Sequence, residues 1–228
     1  MISTNPLQHA ECLLFDYGGT LDANGIAWKE QFHAIYREEG LAIATSAFER
    51  AFYDADDSLV GILPSHAELP DTVRLLVTNL EERLGEDPCR RRRVVERFVA
   101  NTSAAIMHNR EVLETLHSRF SLGIVSNWYG NLAAVCRGLA LDSLFDAIAD
   151  SQVVGAGKPE PAIFHAAMTP LGAQPEKTVM IGDSVHRDGE GARGVGCGFV
   201  WLAPAHVADE PGVMHRITGL DALLGLLI

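Results

Sequence analysis

The sequence predicts an α/β protein with a mainly parallel sheet, helices on both of its faces and an inserted α-helical segment. Two observations predict the core. Short apolar runs bounded by Gly, Ser or Asp recur along the chain, and helical patterns separate most of them. A third predicts the insertion: from about residue 23 to residue 108 the apolar residues repeat with helical spacing, and little reads as strand.

The first run, residues 12–16, reads CLLFD and leads into the glycine-rich turn YGGTL. Four more follow at 122–126, 147–149, 179–181 and 199–202. Within the insertion, helical periodicity marks residues 26–39, 46–58, 71–84 and 89–108. Gly40 and Gly85 stand where C-terminal caps belong, and Thr45 or Ser46 can cap the second helix. The stretch VGILPSHAELP breaks the pattern and reads as a loop between two helical pairs. Residues 1–22 and 109–228 are therefore expected to form the α/β core, and residues 23–108 the helical segment.

At 228 residues the chain suits one large domain or one domain with a smaller insertion, and 47% apolar residues suffice for a packed core. A net charge of -12 disfavours binding to nucleic acid or an anionic membrane. The run Arg90-Arg91-Arg92-Arg93 is the basic exception. Val94, Val95, Phe98 and Val99 follow it at helical spacing, so it reads as the solvated start of an amphipathic helix. No apolar run approaches bilayer length, and the opening MISTNPLQHAE has neither the basic start nor the apolar core of an export signal. Cys12, Cys89, Cys136 and Cys197 form no CxxC pair and read as reduced thiols of a cytoplasmic protein.

In an open parallel sheet, ligands bind at the carboxyl ends of the strands. Those ends carry Asp16, Ser126-Asn127 and Asp183, with Lys158 and Asp188 in the loops just beyond. Three close carboxylates do not all stay ionised without compensation. A divalent cation with oxygen ligands is the natural partner, and Mg²⁺ is the commonest where phosphates are handled. Lys158 supplies a second positive charge. Such a site holds an anionic group and places Asp16 to attack it.

The order of these residues resembles the haloacid dehalogenase-like hydrolase superfamily. Asp16-Tyr17-Gly18-Gly19-Thr20-Leu21 is similar to its first motif, usually written DxDGT. Ser126 at the end of IVSN looks like the second motif, Lys158 in GKPEPAIF the third, and IGDSVHRD, with Asp183 and Asp188, the fourth. The resemblance implies a Rossmann-like parallel sheet core with an α-helical cap inserted after the first motif. It implies a Mg²⁺-dependent hydrolase, most simply a phosphatase acting on a small phosphorylated metabolite. Asp16 would be the nucleophile that forms an aspartyl intermediate. Asp16, the backbone carbonyl of Gly18, Asp183 and Asp188 would serve the metal. Ser126 and Lys158 would hold the phosphoryl oxygens, with Thr20 and Asn127 beside them.

The departure is Gly18, where phosphatases of the superfamily carry an aspartate that protonates the leaving group. The carbonyl survives the substitution, but the acid does not. Positioned proton transfer is typically worth ~10²–10⁴-fold. A good leaving group, as in an acyl or aryl phosphate, needs little protonation, and Asp22 or His33 are candidate stand-ins. Two branches also lack the second aspartate. The 2-haloacid dehalogenases lack the leading metal aspartate, which this chain keeps as Asp183. Phosphonoacetaldehyde hydrolase uses a cap lysine, and the insertion contains Lys29, whose plainer reading is a surface lysine. A phosphate-binding or regulatory protein with little turnover is the remaining alternative. Trp28, Phe32, Tyr53, His66 and Trp128 are candidate substrate-facing side chains, each also suited to core packing.

Overall fold

The computed structural model describes residues 5–86 and 88–227; residues 1–4, at the start of the N-terminal stretch, Asp87 and Ile228 lie outside the described residues. Six parallel strands form one sheet in the order β3-β2-β1-β4-β5-β6. They are β1 (Cys12–Phe15), β2 (Ser121–Ser126), β3 (Ala147–Asp150), β4 (Thr178–Gly182), β5 (Gly198–Leu202) and β6 (Arg216–Ile217). β1 lies between β2 and β4, with Leu13 facing Leu122 on one side and Val179 on the other. All three strands end at one edge, which brings Asp16, Ser126 and Asp183 together.

Successive strand side chains alternate between the two faces. Leu13, Phe15, Ile124, Val179 and Ile181 belong to one hydrophobic cluster. Cys12, Leu14, Val125 and Met180 belong to a second, packed with Ile163 and Phe164 of a helix at Pro161–Leu171. The sheet is thus covered on both faces, as the continuous apolar runs require. Full burial of each Leu or Phe is worth about 1.5–3 kcal/mol.

The first cluster continues into the insertion through Phe32, Phe48 and Phe98. Four helices build that insertion: α1 (Trp28–Glu38), α2 (Thr45–Asp57), α3 (Leu69–Leu84) and α4 (Arg91–His117). Gly85 closes α3 in the left-handed conformation, φ 66°, where a side chain would be strained. The expected fourth helix, 89–108, differs from the observed α4 at its end. α4 runs without a break through residues 108 and 109 to His117. The polar stretch His108-Asn109-Arg110-Glu111 interrupts the apolar pattern but contains no Gly or Pro, so nothing stops the helix there.

The arginine run sits at the start of α4 and is largely neutralised. Arg90 pairs with Glu86 at 2.8 Å, Arg91 with Glu81 at 2.7 Å and Arg93 with Glu39 at 2.6 Å. Val94, Val95 and Phe98 turn inward, as their spacing indicated. β6 has no counterpart in the sequence reading, because two residues are too short to show alternation. Its Arg216 guanidinium lies 5.1 Å from the Trp201 ring centroid.

Phe98 joins α4 to α1, stacked on Phe32 at 4.1 Å and edge-on to Trp28 at 4.8 Å. Phe98→Ala is expected to cost about 3–5 kcal/mol of unfolding free energy. Urea denaturation checks this, and a loss under 1 kcal/mol would show that the aromatic stack does not hold the insertion together.

Candidate active site

Asp16 follows β1 directly and is 6% exposed. Its Oδ1 receives the Tyr17 backbone N–H at 2.7 Å and the Ser126 hydroxyl at 2.8 Å, and lies 2.7 Å from Lys158 Nζ. Three donors on one oxygen fix the carboxylate and leave Oδ2 outside that set. Ser126 reaches it because β2 ends one strand away in register. The Lys158 ammonium also lies 2.7 Å from Asp188 Oδ1, so one buried cation serves two buried carboxylates. Burial alone would lower the Lys158 pKa; Asp16 and Asp188 outweigh it, and the net shift is upward.

Asp183 directly follows β4 and Asp188 sits in the turn Val185–Glu190. Asp16, Asp183 and Asp188 each offer an oxygen within 4.8 Å of the other two. Burial, then the charges of Asp16 and Asp188, push the Asp183 carboxyl well above its usual range. Burial likewise raises Asp188, with Lys158 opposing. The buried Oδ1 of Asp183 has no hydrogen-bond partner among the described residues. An all-oxygen cluster with an orphaned anionic atom suits a hard divalent cation.

Asn127 is committed to the backbone of Lys158. Its Oδ1 accepts the Lys158 N–H at 2.6 Å and its Nδ2 donates to the Lys158 carbonyl at 3.1 Å. It therefore aims the lysine as well as lining the site. Thr20 is fully buried and does not line the cavity beside Asp16.

Gly18 has φ -74° and ψ 117°, a backbone that any residue adopts. What occupies its side is aromatic. A Cβ at position 18 would stand 3.6 Å from Trp28 Nε1 and 3.7 Å from Trp128 Cζ3. The two indoles meet edge-on at 5.0 Å, and Tyr17 meets Trp128 at 4.9 Å. Asp22 holds this arrangement: its Oδ2 accepts the Trp28 indole N–H at 2.5 Å and its Oδ1 the Gly19 N–H at 2.7 Å. Burial lifts its carboxyl to about 7 despite those two donors.

A cavity of about 120 Å³ opens beside Asp16, well below the ≈ 300–1,000 Å³ of drug-sized sites. Asp16, Gly18, Ser126, Asn127 and Lys158 line one side. Trp28, Lys29, Tyr53 and Asp56 of the insertion line another, with Trp128, Tyr129 and Arg187. Among the five proposed substrate-facing residues, Trp28, Tyr53 and Trp128 reach it. Phe32 is buried in the insertion, and His66 is exposed elsewhere. His33 stacks on Phe48, ring centroids 4.7 Å apart, and lines a separate surface cavity. Asp22 lies behind the Trp28 indole rather than on the wall.

Sequence reasoning missed Asp56, Tyr129 and Arg187. Asp56 follows Phe52 and Tyr53 at helical spacing on α2, and Arg187 precedes Asp188 in the fourth motif. Both signals were present but carried no reason to point at the site before the helices were placed.

A family model for the haloacid dehalogenase-like hydrolases matches residues 10–196, and the chain belongs to that family. Haloacid dehalogenase-like hydrolase domain-containing protein 3 of Bos taurus is 33% identical over 116 residues, 46% of each chain. Glyceraldehyde 3-phosphate phosphatase of Pyrococcus furiosus is 38% identical over 94 residues, 39% of each chain. The match therefore spans less than half the length of these curated relatives. The magnesium-bound protein YfnB of Bacillus subtilis shares the fold at TM-score 0.60 and 19% identity, over 96% of this chain and 99% of its own.

Gly19 has φ +88°, and a Cβ there would fall 2.5 Å from Asp183 Oδ2. Gly19→Ala is expected to lose about 1–2 kcal/mol from the left-handed strain. Urea denaturation measures the loss. An unchanged midpoint would mean that the turn relaxes without cost.

Proposed function

We propose that the protein is a Mg²⁺-dependent phosphatase of small phosphorylated metabolites, acting through an aspartyl-phosphate on Asp16. The observation that carries this reading is the fixed Asp16 carboxylate, with Oδ1 saturated by three donors and Lys158 bridging it to Asp188. Asp16 Oδ2 attacks phosphorus. Lys158, with one N–H beyond those on Asp16 and Asp188, and Ser126, once its hydroxyl turns from Asp16, hold the phosphoryl oxygens in line with it, and Arg187 adds positive charge at the cavity wall. Asp16, the Gly18 carbonyl, Asp183 and Asp188 would hold the cation, which when bound offsets negative charge on the transferring group. The glyceraldehyde 3-phosphate phosphatase and phosphoserine phosphatase among the relatives support a phosphorylated substrate. The small cavity supports a short one.

In this reading residues 23–108 form the cap that selects the substrate, and the chain acts in the cytoplasm. Its cysteines are free thiols, and no helix among the described residues is long and apolar enough to cross a membrane. The carbon–phosphorus alternative needs Lys29 as a free amine. Lys29 does line the cavity, but Glu49 pairs with it at 2.7 Å and raises its pKa, which keeps it protonated. A cationic ammonium forms no Schiff base.

A panel of alkyl, aryl and acyl phosphates and phosphonates with Mg²⁺ tests the reading by phosphate release. Asp16→Asn is expected to abolish turnover of every substrate that the wild type accepts; residual activity would sink the nucleophile assignment. EDTA is expected to stop turnover and added Mg²⁺ to restore it. Asp183→Asn is expected to need far more Mg²⁺ for the same rate, and an unshifted requirement would remove Asp183 from the metal site.

A further inference from the structure

Gly18 leaves the phosphatase reading without a proton donor for the leaving group, and the cavity wall offers a replacement. We infer that Asp56, on helix α2 of the insertion, is the general acid of this enzyme, held in place by the Tyr129 hydroxyl. This rests on the phosphatase reading above and adds to it a catalytic residue from the opposite side of the cleft.

The argument is one of elimination within the cavity. Its lining side chains that carry a transferable proton are Lys29, Tyr53, Asp56, Ser126, Tyr129, Lys158 and Arg187, besides Asp16 itself. Lys29 is paired with Glu49 and Lys158 with Asp16 and Asp188, and Arg187 carries a guanidinium, a group that stays protonated in proteins. Tyr129 is held well above its ordinary value by burial. Ser126 is bonded to Asp16, and Tyr53 is half exposed to solvent. Asp56 remains. The Tyr129 hydroxyl donates to its Oδ1, and Oδ2 has no hydrogen-bond partner among the described residues. Burial favours its neutral form; Tyr129 and Arg187 oppose, and Asp57 reinforces.

The chemistry balances. Asp16 Oδ2 forms a bond to phosphorus, the bond from phosphorus to the alkoxy oxygen breaks, and that oxygen takes the Asp56 carboxyl proton to leave as an alcohol. The water that then cleaves the aspartyl-phosphate yields inorganic phosphate and the Asp16 carboxylate, and returns a proton to Asp56. The small cavity keeps a short substrate in contact with both walls, which is the reach a proton donor requires.

Single-turnover release of the leaving group tests this, with a short alkyl phosphate and acetyl phosphate compared in wild type and Asp56→Asn. Asn keeps the Tyr129 bond, so the fold is retained; circular dichroism and the melting temperature check it. Alkyl ester cleavage is expected to fall by ~10²-fold or more, with a much smaller loss for acetyl phosphate, whose leaving group needs little protonation. In wild type, alkyl ester cleavage is expected to fall as pH rises and Asp56 ionises, and Asp56→Asn is expected to lose that limb. Gly18→Asp in the Asp56→Asn background is expected to recover part of the rate. Equal losses for both substrates, or none, would overturn the assignment. A wild type that cleaves acetyl phosphate but no alkyl phosphate would overturn it too and leave the phosphatase reading standing. A wild type that cleaves nothing would end both.

Discussion

One ammonium group between two carboxylates governs the carboxyl edge of the sheet. Lys158 is 5% exposed, Asp16 6% and Asp188 0%, so three charges lie out of water within ion-pair distance. Desolvating each costs several kcal/mol, and mutual attraction repays that only with close geometry and further donors. The further donors are present: the Tyr17 and Ser184 backbone N–H groups and the Ser126 hydroxyl. Each comes from a strand end or the turn after it, so the parallel sheet is the condition for the charge cluster. Even so, one lysine does not balance three carboxylates. Burial first, and the neighbouring carboxylates after it, push Asp183 and Asp188 upward, and a divalent cation would offset that excess of negative charge.

The same edge is coupled to the insertion through aromatic packing. Trp28 starts α1, yet its indole N–H is held by Asp22, which also holds the Gly19 N–H of the turn after Asp16. Trp128, two residues beyond Ser126, closes against it. Asn131 extends the link: its Nδ2 donates to the Ala67 carbonyl at 2.9 Å and to Thr72 at 2.7 Å, while its Oδ1 accepts the Trp128 indole N–H at 3.0 Å. Insertion and core thus share one polar-aromatic seam at the site. A displacement of α1 would move the turn that aims Asp16.

The fold was legible where physics is local. Five apolar runs and the glycine-rich turns marked β1 to β5, and the carboxylates after them marked the edge, because strand ends in a parallel sheet have only one place to go. Two features were not legible. α4 crosses residue 108 because its polar stretch lacks a helix breaker, and only packing of Asn109 against the Leu21 carbonyl shows why polar residues belong there. Asp56 carries no motif, and Arg187 sits in the fourth motif without a role that the motif assigns. Their importance comes from which helix face the insertion turns toward Asp16, a matter of tertiary packing that periodicity does not encode.

Gly18 takes its meaning from that packing. Glycine is not required by the backbone there, since φ -74° suits any residue. The backbone therefore does not forbid a side chain, and two indoles stand in van der Waals reach of its position. An acid at position 18 would be fixed to the core and present whether or not the insertion is seated. An acid on α2 is present only when the insertion lies over Asp16. Proton transfer then depends on that seating, and leaving-group departure becomes conditional on a substrate short enough to reach both walls.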